Sequence, residues 1–249
     1  MVLLFMLVCG FLTSRGVVIV ADFNSVDKEA EEVMIARSVK SIPPYAFAEN
    51  ENLRSVRFEA GSRCSSIGEG AFYRCAALKE IAVPPSLREV GTNAFAWCTS
   101  LKAFDLRTVT KIGTLAFAYC ESLESVDFSP SLKNIGNNAF SRCSSLTEVY
   151  IPDSVTLLES YAFSDCTSLL KARMPANDSL LGELIFEGCE SLTELTQPST
   201  EAPPFDCNSF IFDPADEEAY ARCRLSAADP DACRRSPGWR LFQSITPIE

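Results

Sequence analysis

The sequence predicts an α/β solenoid of about seven stacked units of 22–25 residues, strand-rich, with one short helical turn per unit. Three columns of residues predict it. Phenylalanine recurs as Phe47, Phe72, Phe95, Phe117, Phe140, Phe163 and Phe186, at steps of 25, 23, 22, 23, 23 and 23 residues. Cysteine follows three positions later at Cys75, Cys98, Cys120, Cys143, Cys166 and Cys189, with Asn50 in the first unit. Leucine comes next, as Leu53, Leu78, Leu101, Leu123, Leu146, Leu169 and Leu192. Self-similarity at a fixed period of this size marks architectures built by stacking.

Within a unit, the leucine leads into alternating apolar positions such as Val56/Phe58, Ile81/Val83, Val126/Phe128 and Val149/Ile151. Alternation with period two is a strand with one buried face. Proline follows directly at Pro84, Pro152 and Pro175, where a missing N–H ends a ladder. A second short apolar stretch (Leu87/Val90, Val109/Ile112, Leu132/Ile135, Val155/Leu158) returns the chain to the next phenylalanine. There the spacing of Ala71, Phe72 and Cys75 predicts one helical turn, since positions three and four apart share a helical face. The few inward side chains of one unit cannot offset the entropy of ordering some two dozen residues. Each unit must therefore bury its flanks against its neighbours, with rungs about 4.8 Å apart.

Composition closes several function classes. The 249 residues are 47% apolar, ample for a packed interior. A formal charge of −11 and a pI near 4.7 argue against nucleic acid or an anionic membrane surface as partner. The chain has no histidine, which removes Ser-His and Cys-His nucleophiles and the commonest general base. No cofactor or metal site is expected: stacked cysteines lie in a line and cannot converge as a tetrahedron. They are expected instead as buried apolar thiols.

The segment IGNNAFSRCSSLTEVYIP (Ile135 to Pro152) resembles the BspA-like leucine-rich repeats, through the pattern I-G-x-x-A-F-x-x-C-x-S-L-x-x-V-x-I-P. A partial further copy opens the array in EVMIARSVKSI (Glu32 to Ile42), with Ala36 where the family usually has proline. The tail segments APPFDCNSF and GWRLFQSITPIE are similar to the family's closing cap, with Tyr220, Trp239, Phe242, Ile245 and Ile248 placed to cover the last rung. The resemblance implies a right-handed leucine-rich-repeat β/α superhelix. It also implies secreted or cell-surface proteins that adhere to other proteins or cells. It fixes no catalytic or binding residue.

On each strand the residue between the inward pair must face out: Arg57, Ala82, Asp105, Asp127, Tyr150, Arg173 and Thr196. Arg57, Asp105, Asp127, Tyr150 and Arg173 are the candidate partner-binding residues, because Tyr and Arg commonly anchor protein contacts. The partner class is a protein or glycoprotein, met by a monomer. The plain alternative is a solvated surface on a structural spacer. Asp105 and Asp127 on adjacent rungs have the separation of a retaining glycosidase pair, and a hydrolase using them is the least favoured reading. Cys223 and Cys233 bound an extra loop near the C-terminus and are a candidate disulfide in a secreted chain. Asn177-Asp178-Ser179 is a glycosylation sequon.

Residues 1–16 contain an apolar run, Val2 to Leu12, that suits a signal-peptide core and is too short to span a bilayer. No Lys or Arg precedes the run, and the alternative is an N-terminal capping segment. The expected organisation is thus a signal peptide (1–16), an N-terminal cap (17–32), repeats (33–198) and a C-terminal cap (199–249). The expected location is extracellular or cell-surface, with the cytoplasm as the alternative.

Overall fold

The computed structural model describes residues 17–24, 26–176, 180–200 and 211–248. The leader, the sequon and Cys207 fall outside the described residues. The chain winds into a solenoid of stacked parallel strands, and three hydrogen-bonded ladders run along its length. The first collects the long strands: Val17–Val20, Glu32–Ile35, Ser55–Phe58, Glu80–Ile81, Ala103–Leu106, Ser125–Phe128, Glu148–Tyr150, Lys171–Arg173, Glu194–Gln197, Arg224–Ala227 and Ser244–Pro247. All its pairings are parallel, in sheets of four, two and five strands. The stack therefore runs past the seven predicted units at both ends. The C-terminal cap does not merely cover the last rung; it adds two strands to the ladder.

One break in this ladder follows the two-residue strand Glu80–Ile81. Val83-Pro84-Pro85 comes next, and two successive prolines without N–H groups keep this strand to two residues. The second ladder is continuous. It pairs seven two-residue strands from Ser41–Ile42 to Leu180–Leu181 in one parallel sheet.

The third ladder replaces the predicted helical turn. No helix forms at any of the repeated phenylalanines among the described residues; helices occur only at Glu217–Arg222 (α1), Pro230–Arg235 (α2) and a short 3-10 turn at Trp239–Leu241. The cause is conformational. Two residues before and two after each repeated phenylalanine, the backbone is left-handed, as at Asn93 (φ 54°) and Trp97 (φ 66°) around Phe95. Left-handed residues cannot continue an α-helix. The turn instead sends its amides to the next rung: Phe72 N–H donates to Ala94 O at 2.8 Å, Phe95 to Ala116 at 2.7 Å, Phe117 to Ala139 at 2.7 Å and Phe140 to Ala162 at 2.8 Å. Every one of these N–H groups points toward the C-terminal neighbour.

Between the ladders lies one continuous apolar core. The seven phenylalanine rings are fully buried and stack in file, with centroids 5.0–5.7 Å apart. All six ladder cysteines are buried beside them. Each thiol donates to the phenylalanine carbonyl of the previous rung, for example Cys98 Sγ to Phe72 O at 3.1 Å and Cys143 Sγ to Phe117 O at 3.3 Å. In the first unit Asn50 takes the cysteine's place and reaches a different acceptor. Its buried Nδ2 donates to Ala30 O at 3.1 Å, and its Oδ1 accepts from Asn52 and Leu53 N–H at 3.0 and 3.1 Å. This ties the segment before the second strand to the array.

At the other end, α1 is capped by Asp216, which accepts from Ala219 N–H, and α2 by Asp229, which accepts from Ala232 N–H, each at 2.9 Å. Tyr220, Trp239 and Phe242 are buried in this cap, Ile245 is half-buried and Ile248 is exposed. Cys223 and Cys233, the candidate disulfide pair, are both free, buried thiols in this structure. Cys223 caps the end of α1 and Cys233 sits on the buried side of α2, each packed in its own place.

Candidate functional site

Strand alternation puts one row of side chains outward on the first ladder. Arg57, Ala82, Asp105, Asp127 and Tyr150 are exposed, while Arg173 and Thr196 are half-buried. Parallel register makes this a row of direct neighbours: Asp127 lies beside Asp105, and Tyr150 beside Arg173 and then Thr196. Tyr150 is 59% exposed, an unusual placement for so large a ring.

Most charges in and around this row are engaged. Arg57 meets Glu80 at 3.6 Å, Lys102 meets Glu124 at 4.0 Å, and Lys171 meets Glu194 at 3.0 Å. Arg173 holds Asp153 through both carboxylate oxygens at 2.9 and 3.3 Å, and also donates to the carbonyls of Ile151 and Met174. Hydrogen bonding from Arg173 holds the Asp153 carboxyl below its ordinary range.

Asp105 is not poised as a catalytic acid. Arg107 grips Asp105 with Nε at 3.0 Å and Nη2 at 2.7 Å, and that hydrogen bonding lowers the Asp105 pKa. A catalytic acid needs the opposite shift. Two shallow concavities, of about 440 and 370 Å³, include no residue of the row. Among the described residues, no cluster of three or more His, Cys, Asp or Glu could hold a metal ion, and no helix is long and apolar enough to cross a membrane.

Sequence reasoning missed the partners of these charges, although a signal was present. Arg57 and Glu80, Lys171 and Glu194, and Arg142 and Asp165 each stand one period apart with opposite sign. It also missed an aromatic pair on the phenylalanine-turn face, where Trp97 and Tyr119 stack at 3.7 Å with Arg142 over the Tyr119 ring at 5.2 Å. Trp97 is 38% exposed.

The BspA type leucine rich repeat region matches residues 22–108 and 103–210, in six copies. The chain belongs to the BspA-type leucine-rich repeat family. A leucine rich cell surface protein from Faecalibacterium prausnitzii A2-165 is similar, with 27% identity and a TM-score of 0.64 over 79% of this chain. This chain covers 54% of that protein, about half its length. A leucine-rich repeat protein of T. pallidum shows 29% identity and a TM-score of 0.50, covering 75% of this chain and 77% of its own. None of the curated proteins matches. The family is one of repeat proteins typical of surface proteins.

Proposed function

We propose that this BspA-type chain is a non-enzymatic recognition module that binds a protein or glycoprotein at or outside the cell surface, through the outward row of its strand ladder. The observation that carries the reading is Tyr150, 59% exposed and in register beside Arg173 in a row otherwise rich in paired charges. A large, lightly solvated ring with an arginine at its side is the usual form of an anchor residue. The cell-surface description of the similar Faecalibacterium protein supports the location.

Pull-down from cell-surface extracts, followed by affinity measurement, tests this. Tyr150→Ala is expected to weaken the captured complex by roughly 2 kcal/mol or more, about thirtyfold. Unchanged affinity in Tyr150→Ala and Arg173→Ala would place recognition elsewhere, and capture of nothing above background would favour a spacer. Turnover of a glycoside lost in Asp105→Asn or Asp127→Asn would instead revive the hydrolase reading.

A further inference from the structure

The first and second ladders meet at a corner whose charge is opposite to that of the molecule. Its segments, 36–40, 59–65, 84–88, 107–110 and 129–133, carry six cations and a single carboxylate, Glu59, in a chain of net charge −11. Arg37, Lys40 and Arg63 line one concavity there, of about 440 Å³. The next rungs extend it as a column, shown by the backbone bonds Ser65 N–H to Lys40 O, Arg88 to Ser65, Thr110 to Arg88 and Lys133 to Thr110, all 2.7–2.8 Å long. Cation and hydroxyl thus alternate along the axis as Lys40, Ser65, Arg88, Thr110 and Lys133.

The strand face uses its cations differently. Arg54, Arg57, Lys102, Lys171 and Arg224 are each paired with a carboxylate. Among the described residues, Arg37, Lys40, Arg63, Arg88 and Lys133 make no ion pair, and only the sixth cation, Arg107, is held by a carboxylate, that of Asp105. Glu59 spends its carboxylate on the Arg37 backbone N–H. Arg88 Nη1 donates to the carbonyls of Pro85 and Leu87 at 2.8 Å, which fixes the guanidinium without neutralising it.

We propose that this corner is a second binding site, for an extended anionic polysaccharide. Two rungs separate successive cations, about 10 Å at the strand spacing. That is sparse for a phosphate backbone, which presents charge far more densely. It suits a chain bearing a carboxylate or sulfate at wider intervals, with the intervening Ser65 and Thr110 hydroxyls, which donate to the Lys40 and Arg88 carbonyls at 3.4 and 3.2 Å, presenting oxygen lone pairs that accept from sugar hydroxyls. The site is independent of the strand-face reading, since it shares no residue with it.

Fluorescence anisotropy of the full chain with a labelled keratan sulfate oligosaccharide, which carries sulfate and no carboxylate, and separately with a hyaluronate oligosaccharide, which carries a carboxylate once per disaccharide, tests the site and separates sulfate from carboxylate. Binding is expected to weaken as salt rises, as charge-neutralising contacts require. The triple variant Arg37→Gln/Lys40→Gln/Arg63→Gln is expected to lose roughly tenfold or more in affinity, while Arg54→Gln/Lys102→Gln keeps it. A second readout needs no variant: whichever of the two glycans binds should protect Lys40 and Lys133 from acetylation and leave Lys102 and Lys171 reactive. Absence of binding by both glycans, equal loss in the strand-face variant, protection of Lys102 instead of Lys40, or tighter binding of single-stranded DNA of equal charge would each overturn the proposal.

Discussion

Asn50 and the cysteine column show how one position is used twice. A thiol serves wherever a phenylalanine carbonyl lies one rung back, and an amide serves where the acceptor is Ala30 in the preceding segment. Asn50→Ala leaves buried polar groups unpaired and is expected to cost about 1–3 kcal/mol. The loss should be local, so faster amide exchange in Glu32–Ile35 than in Ser125–Phe128 is the measurement. The thiols themselves are inert by burial. Desolvation pushes Cys75 up to about 12, and Cys98, Cys120, Cys143 and Cys189 well up. The thiolate is the reactive form, so iodoacetamide at mildly alkaline pH should label none of these five until the chain is unfolded.

The phenylalanine turn is the element that most determines the fold, and its rings carry much of the core. Phe117→Ala or Phe140→Ala empties the middle of the file and is expected to destabilise by about 3–5 kcal/mol in urea titration. Phe, Cys and Leu columns were legible in the sequence because a solenoid repeats its inward residues at a fixed interval. The turn's backbone was not. Ala71, Phe72 and Cys75 have the same spacing in one helical turn as in a compact turn bounded by left-handed residues. Asn93 and Gly70 hint at the second, but Trp97, Leu115 and Tyr119 at left-handed positions do not, because bulky residues rarely adopt that backbone. The strand row was legible for the same reason as the core. Its ion pairs, and the corner's unpaired cations, depend on which side chains the rungs bring alongside one another, and a single period read by itself does not contain that.

Over the whole molecule, stability should depend on pH through the buried thiols. Each is raised when folded, so the folded state holds a proton that an unfolded chain gives up above about pH 8.5. Their contribution is complete below that pH and is lost as pH rises toward about 12 for Cys75 and Cys223 and about 11 for Cys233. Stability is expected to fall by about 1.4 kcal/mol per pH unit for each thiol involved. A urea midpoint unchanged between pH 8 and pH 10 would contradict it. Eleven stacked strands also predict a rod about 50 Å long at the strand spacing, which solution scattering reads directly.

In the strand ladders, amides and carbonyls alternate in direction and their fields largely cancel. In the phenylalanine turns they do not: donors from Phe47 to Phe186 all face the same way along the axis. Such aligned bonds polarise one another, with the carbonyls facing the N-terminal end of the stack and the amides facing the C-terminal end. The rod therefore has electrically unlike poles, as a helix does, and two copies meeting pole to opposite pole would attract where like poles would not.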